Sequence, residues 1–172
     1  MDQRKLRARR LENEYNELMD LDSSIISVVP IGEAPYEKYR VTFNLRTIIS
    51  EEPRFRETTI CILTIPSGYP DVVPKLAVDS ASLPAPWHPN WYKGGTWCFG
   101  TWSKEESLVS YICRCAKTIQ FDVDLTASSY DAAANKEAID FWEKNKNNSA
   151  MIPSDRTVLP VAIFEGPKIS FL

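Results

Sequence analysis

Residues 66–100 constrain this chain more than any other stretch. Half of the twelve prolines (Pro66, Pro70, Pro74, Pro84, Pro86 and Pro89) fall there, with four of the six glycines (Gly68, Gly94, Gly95 and Gly100). Proline lacks a backbone donor and fixes φ, so neither a continuous helix nor a long central strand can run through this region. Apart from a short strand-like piece at Lys75–Val78, it reads as one long loop. Structured loops of that length are usually functional. Four of the five tryptophans, Trp87, Trp91, Trp97 and Trp102, lie in it or just beyond it. Their bulk can wall off a loop that has no sheet beneath it.

The chain before the loop is helical, then β-prone. Leu11, Tyr15, Leu18 and Met19 share one helical face and predict a helix over 4–21. Ser24–Val29 reads as a strand ended by Pro30. Tyr39, Val41, Phe43 and Leu45 alternate with polar residues, the period of a strand with one buried face. Residues 50–57 read as a polar loop. Thr58–Ile65 is a β-branched run expected of a central strand, with Cys61 as a small core residue. Beyond the loop, Ser103-Lys104-Glu105-Glu106 fits a capping box. Leu108, Val109, Ile112, Cys113, Ala116 and Ile119 then follow helical spacing, which puts Cys113 on the apolar side and leaves Cys115 more exposed. A third helix is expected over 130–146, with Ala134, Ala138, Phe141 and Trp142 inward. Strands joined in sequence imply an antiparallel meander. The expected class is α+β: N-terminal helix, four-stranded antiparallel meander, long loop, two helices.

Length and composition bound the function. A 172-residue chain buries about 70% of its unfolded surface, enough for a core without staples. Apolar residues at 44% and charged residues at 25% exclude a disordered chain. No apolar run reaches the roughly 18 residues of a membrane span, and no apolar stretch follows the basic N-terminus as in a secretory signal. A cytoplasmic protein with no membrane partner is expected. The net charge of −3 argues against a general nucleic-acid binder. The charge is uneven: Arg4, Lys5, Arg7, Arg9 and Arg10 against Asp2 make the first ten residues +4. A basic helix on an acidic body suits an acidic partner, although a solvated charged face explains it equally well. Four cysteines and one histidine are too few for a disulfide framework or a His-rich metal site, so no metal or cofactor is expected.

The chemistry concentrates at His88-Pro89-Asn90 and at Cys98, eight residues past Asn90. A reactive thiol needs exposure and access to its thiolate. Cys98 follows Gly94-Gly95 on the long loop and has the best claim of the four to be accessible. A nearby asparagine amide can donate to an oxyanion in acyl transfer. A Cys-His protease pair is the weaker reading, because no protease signature surrounds Cys98.

These residues resemble the ubiquitin-conjugating enzymes over roughly 4–148. That family's YP-x-x-x-P stretch corresponds to Tyr69-Pro70-Asp71-Val72-Val73-Pro74. Its HPN with a cysteine eight residues on corresponds to Asn90 and Cys98, and its following tryptophan to Trp102. The resemblance implies a two-step acyl carrier. An activating enzyme would pass the C-terminal carboxyl of a ubiquitin-like protein to Cys98, and an amine, usually a lysine of an acceptor protein, would then attack the thioester. It implies that Asn90 steadies either the oxyanion or the loop, and that His88 is mainly structural. It implies that an acidic residue some thirty positions on helps the lysine, with Asp131 the first candidate and Asp122 and Asp124 alternatives. Arg4, Lys5, Arg7, Arg9 and Arg10 would face the activating enzyme, and the loops near Pro66 and after Cys98 would meet a ligase. The run from Trp91 to Gly100 is more aromatic than the usual eukaryotic one. In this it looks like prokaryotic relatives encoded beside activating enzymes or nucleotidyltransferases in antiphage operons, with a modifier other than ubiquitin.

Two further readings differ in class. One is a non-catalytic scaffold of the same fold that binds a ubiquitin-like protein. The other is a redox or metal protein built on Cys113 and Cys115. The Pro-punctuated extension 149–172 forms a second segment beyond the domain at 1–148. Its Val158, Leu159, Val161, Ile163 and Phe164 are apolar enough to be expected against the domain or a partner.

Overall fold

A computed structural model of the chain describes residues 2–52 and 54–152. Helix α1 spans Gln3–Leu21, and its first turn is capped by Asp2, whose Oδ1 accepts from the Arg4 amide. Strands β1 (Ile26–Pro30), β2 (Lys38–Phe43), β3 (Thr47–Ser50), β4 (Arg54–Arg56), β5 (Thr59–Thr64) and β6 (Lys75–Val78) follow. Helices α2 (Leu108–Ile119) and α3 (Lys136–Asn145) close the described chain.

The main sheet has the order β1-β2-β5-β6, antiparallel throughout. Its register explains the alternation in β2. Val28, Val41, Cys61 and Val78 form one row across the four strands, and Tyr39, Leu63 and Leu76 form the next. All seven are buried. A one-residue slip would turn each row to solvent, so burial of one face fixes the pairing. Cys61 is the core residue expected from its run. β5 is central, between β2 and β6, but Ile60 and Ile62 on its outer face are only half buried. Its β-branched run thus marks its central place rather than burial on both faces.

Three expectations are corrected. Residues 50–57 are not a simple loop, because β3 and β4 pair as a separate two-stranded sheet, with Thr47 opposite Arg56 and Ile48 opposite Phe55. The driving contact is distant in sequence: Ile48 is buried in a second cluster with Phe121, Phe141, Trp142 and Ile152. Helix α2 starts at Leu108 and its cap is Ser107, whose Oγ accepts from Ser110 N at 3.1 Å. Ser103 instead closes the preceding turn, its carbonyl accepting from Glu106 N and its hydroxyl bonding the Glu105 carboxylate. Helix α3 begins at Lys136, with Asn135 as cap. Residues 127–135 are held out of it by bonds to the loop that carries Asn90.

Cys115 is also buried, against expectation. It does lie on a different side of α2 from Cys113, but that side too is packed into the main core, in one cluster with Cys61 of β5. Both sides of α2 are covered, and Ser110, Arg114 and Lys117 are left as a partly open stripe. Of the extension, Ile152 packs into the second cluster, while Val158, Leu159, Val161, Ile163 and Phe164 lie outside the described residues. No helix among the described residues is long and apolar enough to cross a membrane.

One buried carboxylate joins the layers. Glu14, 2% exposed, accepts at Oε1 from Arg10 Nε (2.6 Å) and the Tyr69 hydroxyl (2.6 Å), and at Oε2 from Leu108 N (2.8 Å). It therefore ties α1 to the Tyr69-Pro70 segment and to the first turn of α2, where the helix dipole favours a negative charge. Removing one partner of a buried, hydrogen-bonded charge is costly. Glu14→Ala should lose about 3 kcal/mol in urea unfolding, whereas Glu12→Ala, exposed on the same helix, should change stability by less than about 0.5 kcal/mol.

Candidate active site

The eight-residue spacing of Asn90 and Cys98 is the span of a hairpin. Cys98 N donates to Asn90 O at 2.7 Å, Trp91 pairs with Trp97, and Tyr92 N donates to Thr96 O at 2.9 Å. The turn closes with Gly95 N bonded to Tyr92 O, and Gly95 sits at φ +103°, where a side chain is strained. The second arm extends the main sheet past β6: Trp97 N donates to Leu76 O and Val78 N to Gly95 O. Trp91 and Trp97 are buried beneath it. Trp102 Nε1 donates to Pro70 O at 2.9 Å, so the YP segment, the hairpin and the residues after Cys98 meet at one edge of the domain.

Cys98 is the one cysteine of four that reaches solvent. Burial pushes the Cys113 thiol up to about 12 and the Cys61 and Cys115 thiols well above the ordinary range. Those three are packing residues with thiolates disfavoured at neutral pH.

His88 is fully buried. Its Nδ1 accepts from Asn90 N at 2.9 Å, which places the ring proton on Nε2, directed at Thr126 Oγ1 at 3.4 Å. Thr126 Oγ1 in turn donates to Asp122 O, and Phe121 packs on the imidazole at 4.3 Å. Burial lowers the His88 pKa to about 3, so it stays neutral and reaches Cys98 only through the backbone of Asn90.

Both ends of the Asn90 amide are engaged. Nδ2 donates to Leu125 O at 2.9 Å and lies 3.5 Å from Cys98 O, while Oδ1 accepts from Ala127 N at 2.7 Å. The neighbouring Pro89 carbonyl accepts from Ala134 N and Asn135 N. Residues 127–134 therefore form an arch pinned at each end to adjacent residues of the site loop. Asp131 stands exposed on this arch, with no hydrogen bond or ion pair among the described residues. Asp122 accepts from Asp124 N and shapes the turn before the arch, and Asp124 is exposed.

The basic helix divides in two. Arg7 pairs with Glu37 (2.5 Å) and donates to Pro66 O, and Arg10 binds Glu14 and Glu106 O. These two hold the domain together. Arg4, Lys5 and Arg9 are exposed and unpaired among the described residues.

No protein-family model matches the chain, and no curated protein does. Among solved structures it is similar to the ubiquitin-conjugating enzyme E2 UbcA1 from Agrocybe aegerita, with 19% identity over 65% of this chain and 80% of that one, at a TM-score of 0.51. The chain has the ubiquitin-conjugating-enzyme fold. Within that fold, sequence reasoning missed Glu14, Thr126 and Arg114. Glu14 was detectable, because it stands three residues after Leu11 and four before Leu18, on the apolar face of α1. Thr126 and Arg114 carried no local signal, since Thr126 meets His88 across 38 positions and the Arg114 guanidinium reaches back 13 to 15 positions to the Thr101 and Phe99 carbonyls.

The unfolded chain binds a proton at His88 near pH 6.5 and the folded chain near pH 3. In that window the unfolded state holds the extra proton, so stability falls on acidification by about 1.4 kcal/mol per pH unit. With a single histidine, the slope between about pH 6 and 5 in urea unfolding is set mainly by His88, the side chain whose reference value lies nearest that range. A flat profile there would contradict the buried neutral ring. Asn90→Ala leaves Leu125 O and Ala127 N unpartnered and should cost about 1–3 kcal/mol of stability. A residue serving only an oxyanion would leave unfolding unchanged.

Proposed function

We propose that the chain is a conjugating-type acyl carrier that takes a ubiquitin-like protein onto Cys98 as a thioester and passes it to an amine. The observation that supports this is the selective exposure of Cys98, at the mouth of a hairpin whose opposite strand carries Asn90. In the first step the Cys98 sulfur attacks the modifier's C-terminal thioester on an activating enzyme. A new C–S bond forms and the enzyme's thiol leaves. In the second step a lysine amine attacks that carbonyl, an amide forms, and the Cys98 thiol is released. Sulfur serves as nucleophile in one step and leaving group in the next, so the same atom is suited to both.

No histidine base is required, because sulfur is intrinsically a strong nucleophile and a good leaving group. Asn90 acts here mainly as the strut between the hairpin and Leu125–Ala127, and Asp131, exposed on the arch, is the carboxylate that would orient the incoming amine. The exposed Arg4, Lys5 and Arg9 are the helix residues open to the activating enzyme. On the likeness of the Trp91–Gly100 run to prokaryotic relatives, the modifier is other than eukaryotic ubiquitin and the setting is antiphage defence.

The test is charging with an activating enzyme and candidate modifiers, with and without reductant. Wild type should form a reductant-sensitive adduct, Cys98→Ser a reductant-resistant ester, and Cys98→Ala none. A reducible adduct on Cys98→Ala would overturn the assignment. Modifier binding by wild type and Cys98→Ala alike, with no adduct on either, would identify the scaffold.

A further inference from the structure

Arg114 stands on the partly open stripe of α2 and reaches the residues that follow Cys98. Its Nη1 donates to Phe99 O at 2.6 Å and its Nη2 to Thr101 O at 3.0 Å. Nε and Nη2 also grip the two Glu106 oxygens, at 2.8 and 3.0 Å. The guanidinium lies 5.7 Å from the Trp97 ring centroid and 5.8 Å from that of Tyr111, so aromatic rings confine it while the carboxylate sets its plane. This is the planar, multi-donor geometry that arginine supplies and lysine does not. Glu106 is fixed from the other side, its amide bonded to Ser103 O and its carbonyl accepting from Arg10.

The Phe99 ring packs on Trp97 and Tyr111 at the core, but the backbone so gripped has little else to hold it. Among the described residues, the two bonds from Arg114 are the only hydrogen bonds made by the backbone of 99–101. Gly100 sits at φ +79° with nothing within 4 Å of where a Cβ would stand, so packing does not restrain it. The Phe99 and Gly100 amides are unpaired among the described residues. A trans peptide opposes its carbonyl and its N–H, so tying Phe99 O to Arg114 also sets the direction of the Gly100 N–H.

We propose that Arg114 is the positioning residue of this site: its fork, set by Glu106, fixes the Phe99–Thr101 backbone and thereby the direction in which Cys98 presents its thiol. Its charge is compensated by Glu106, so the role is geometric. The inference rests on the carrier reading for its catalytic consequence, but not for its structural one.

The experiment uses the full chain without any modifier first. Because the other three thiols are buried, iodoacetamide alkylation of the native protein reports on Cys98. Arg114→Lys keeps the charge but cannot serve Phe99, Thr101 and Glu106 together. Glu106→Gln keeps size and acceptor while loosening the fork, and is the variant to use if Arg114→Lys does not fold. Either folded variant should change the Cys98 alkylation rate by about threefold or more, with the other thiols still protected. In single-turnover transfer from the charged thioester, kcat should fall by about tenfold or more with KM for the amine unchanged. Alkylation at the wild-type rate in a folded variant would overturn the proposal, as would exposure of all four thiols together. If wild type never charges while alkylation shifts as expected, the carrier reading fails and the positioning of Cys98 stands.

Discussion

The Glu14 carboxylate is the constraint on which the rest of the structure depends. It is an anion taken out of water, and such a group is tolerated only where its lone pairs are satisfied and a positive field faces it. Here Arg10, the Tyr69 hydroxyl and the Leu108 amide meet those needs together. Each comes from a different part of the chain. The same contact that seats α1 therefore also fixes where the YP segment runs and where α2 begins. Arg10 extends the linkage to the Glu106 carbonyl, and Glu106 holds Arg114. A continuous set of polar contacts thus runs from the first helix to the backbone beside Cys98.

The site itself is organised by a division of tasks between buried and exposed polar groups. His88 is sealed and neutral, so it serves as a rigid spacer: it accepts from Asn90 N on one side and faces Thr126 on the other. Asn90 bonds across to Leu125 and Ala127. Pro89, between them, offers its carbonyl to the residues that precede α3. Pro89 and Asn90 thus fasten the arch to the hairpin, and His88 braces the turn just before it. The paired Trp91 and Trp97 supply the buried bulk that this short hairpin lacks on its own.

Much of this was legible in the residues. The alternation of Tyr39, Val41, Phe43 and Leu45 marked a one-sided strand, and all four side chains are buried. The proline-rich stretch marked a long structured loop, and the Asn90–Cys98 spacing marked the pair that the hairpin brings together. The failures have a common cause. The β3–β4 hairpin is stabilised by Ile48 packing on Phe121 and Trp142, a contact no local window contains. Helix α3 starts late because Pro89 captures the amides of Ala134 and Asn135. Ser103 fits a capping box in sequence, but the turn it closes ends short of the helix, and Ser107 takes the cap. Cys115 obeys the helical period and is buried because that side too is packed into the main core. Arg7 and Arg10 look like free surface charge until their partners Glu37, Glu14 and Glu106 arrive from elsewhere.

The resulting geometry limits what kind of chemistry the carrier reading can invoke. With the imidazole sealed behind the loop and the Asn90 amide engaged at both ends, no side chain in the described structure stands ready to take a proton from the Cys98 thiol. A reaction that needed a strong base would be poorly served here. Thioester exchange is not such a reaction, since the sulfur is both nucleophilic and easily displaced. What such a site must control instead is the approach direction of a carbonyl, and that is a property of backbone shape. The contacts made by Arg114, Asn90 and the two tryptophans all act on that shape. On the carrier reading, the polar groups nearest Cys98 are restraints on the loop, and the sulfur contributes the bond-making chemistry.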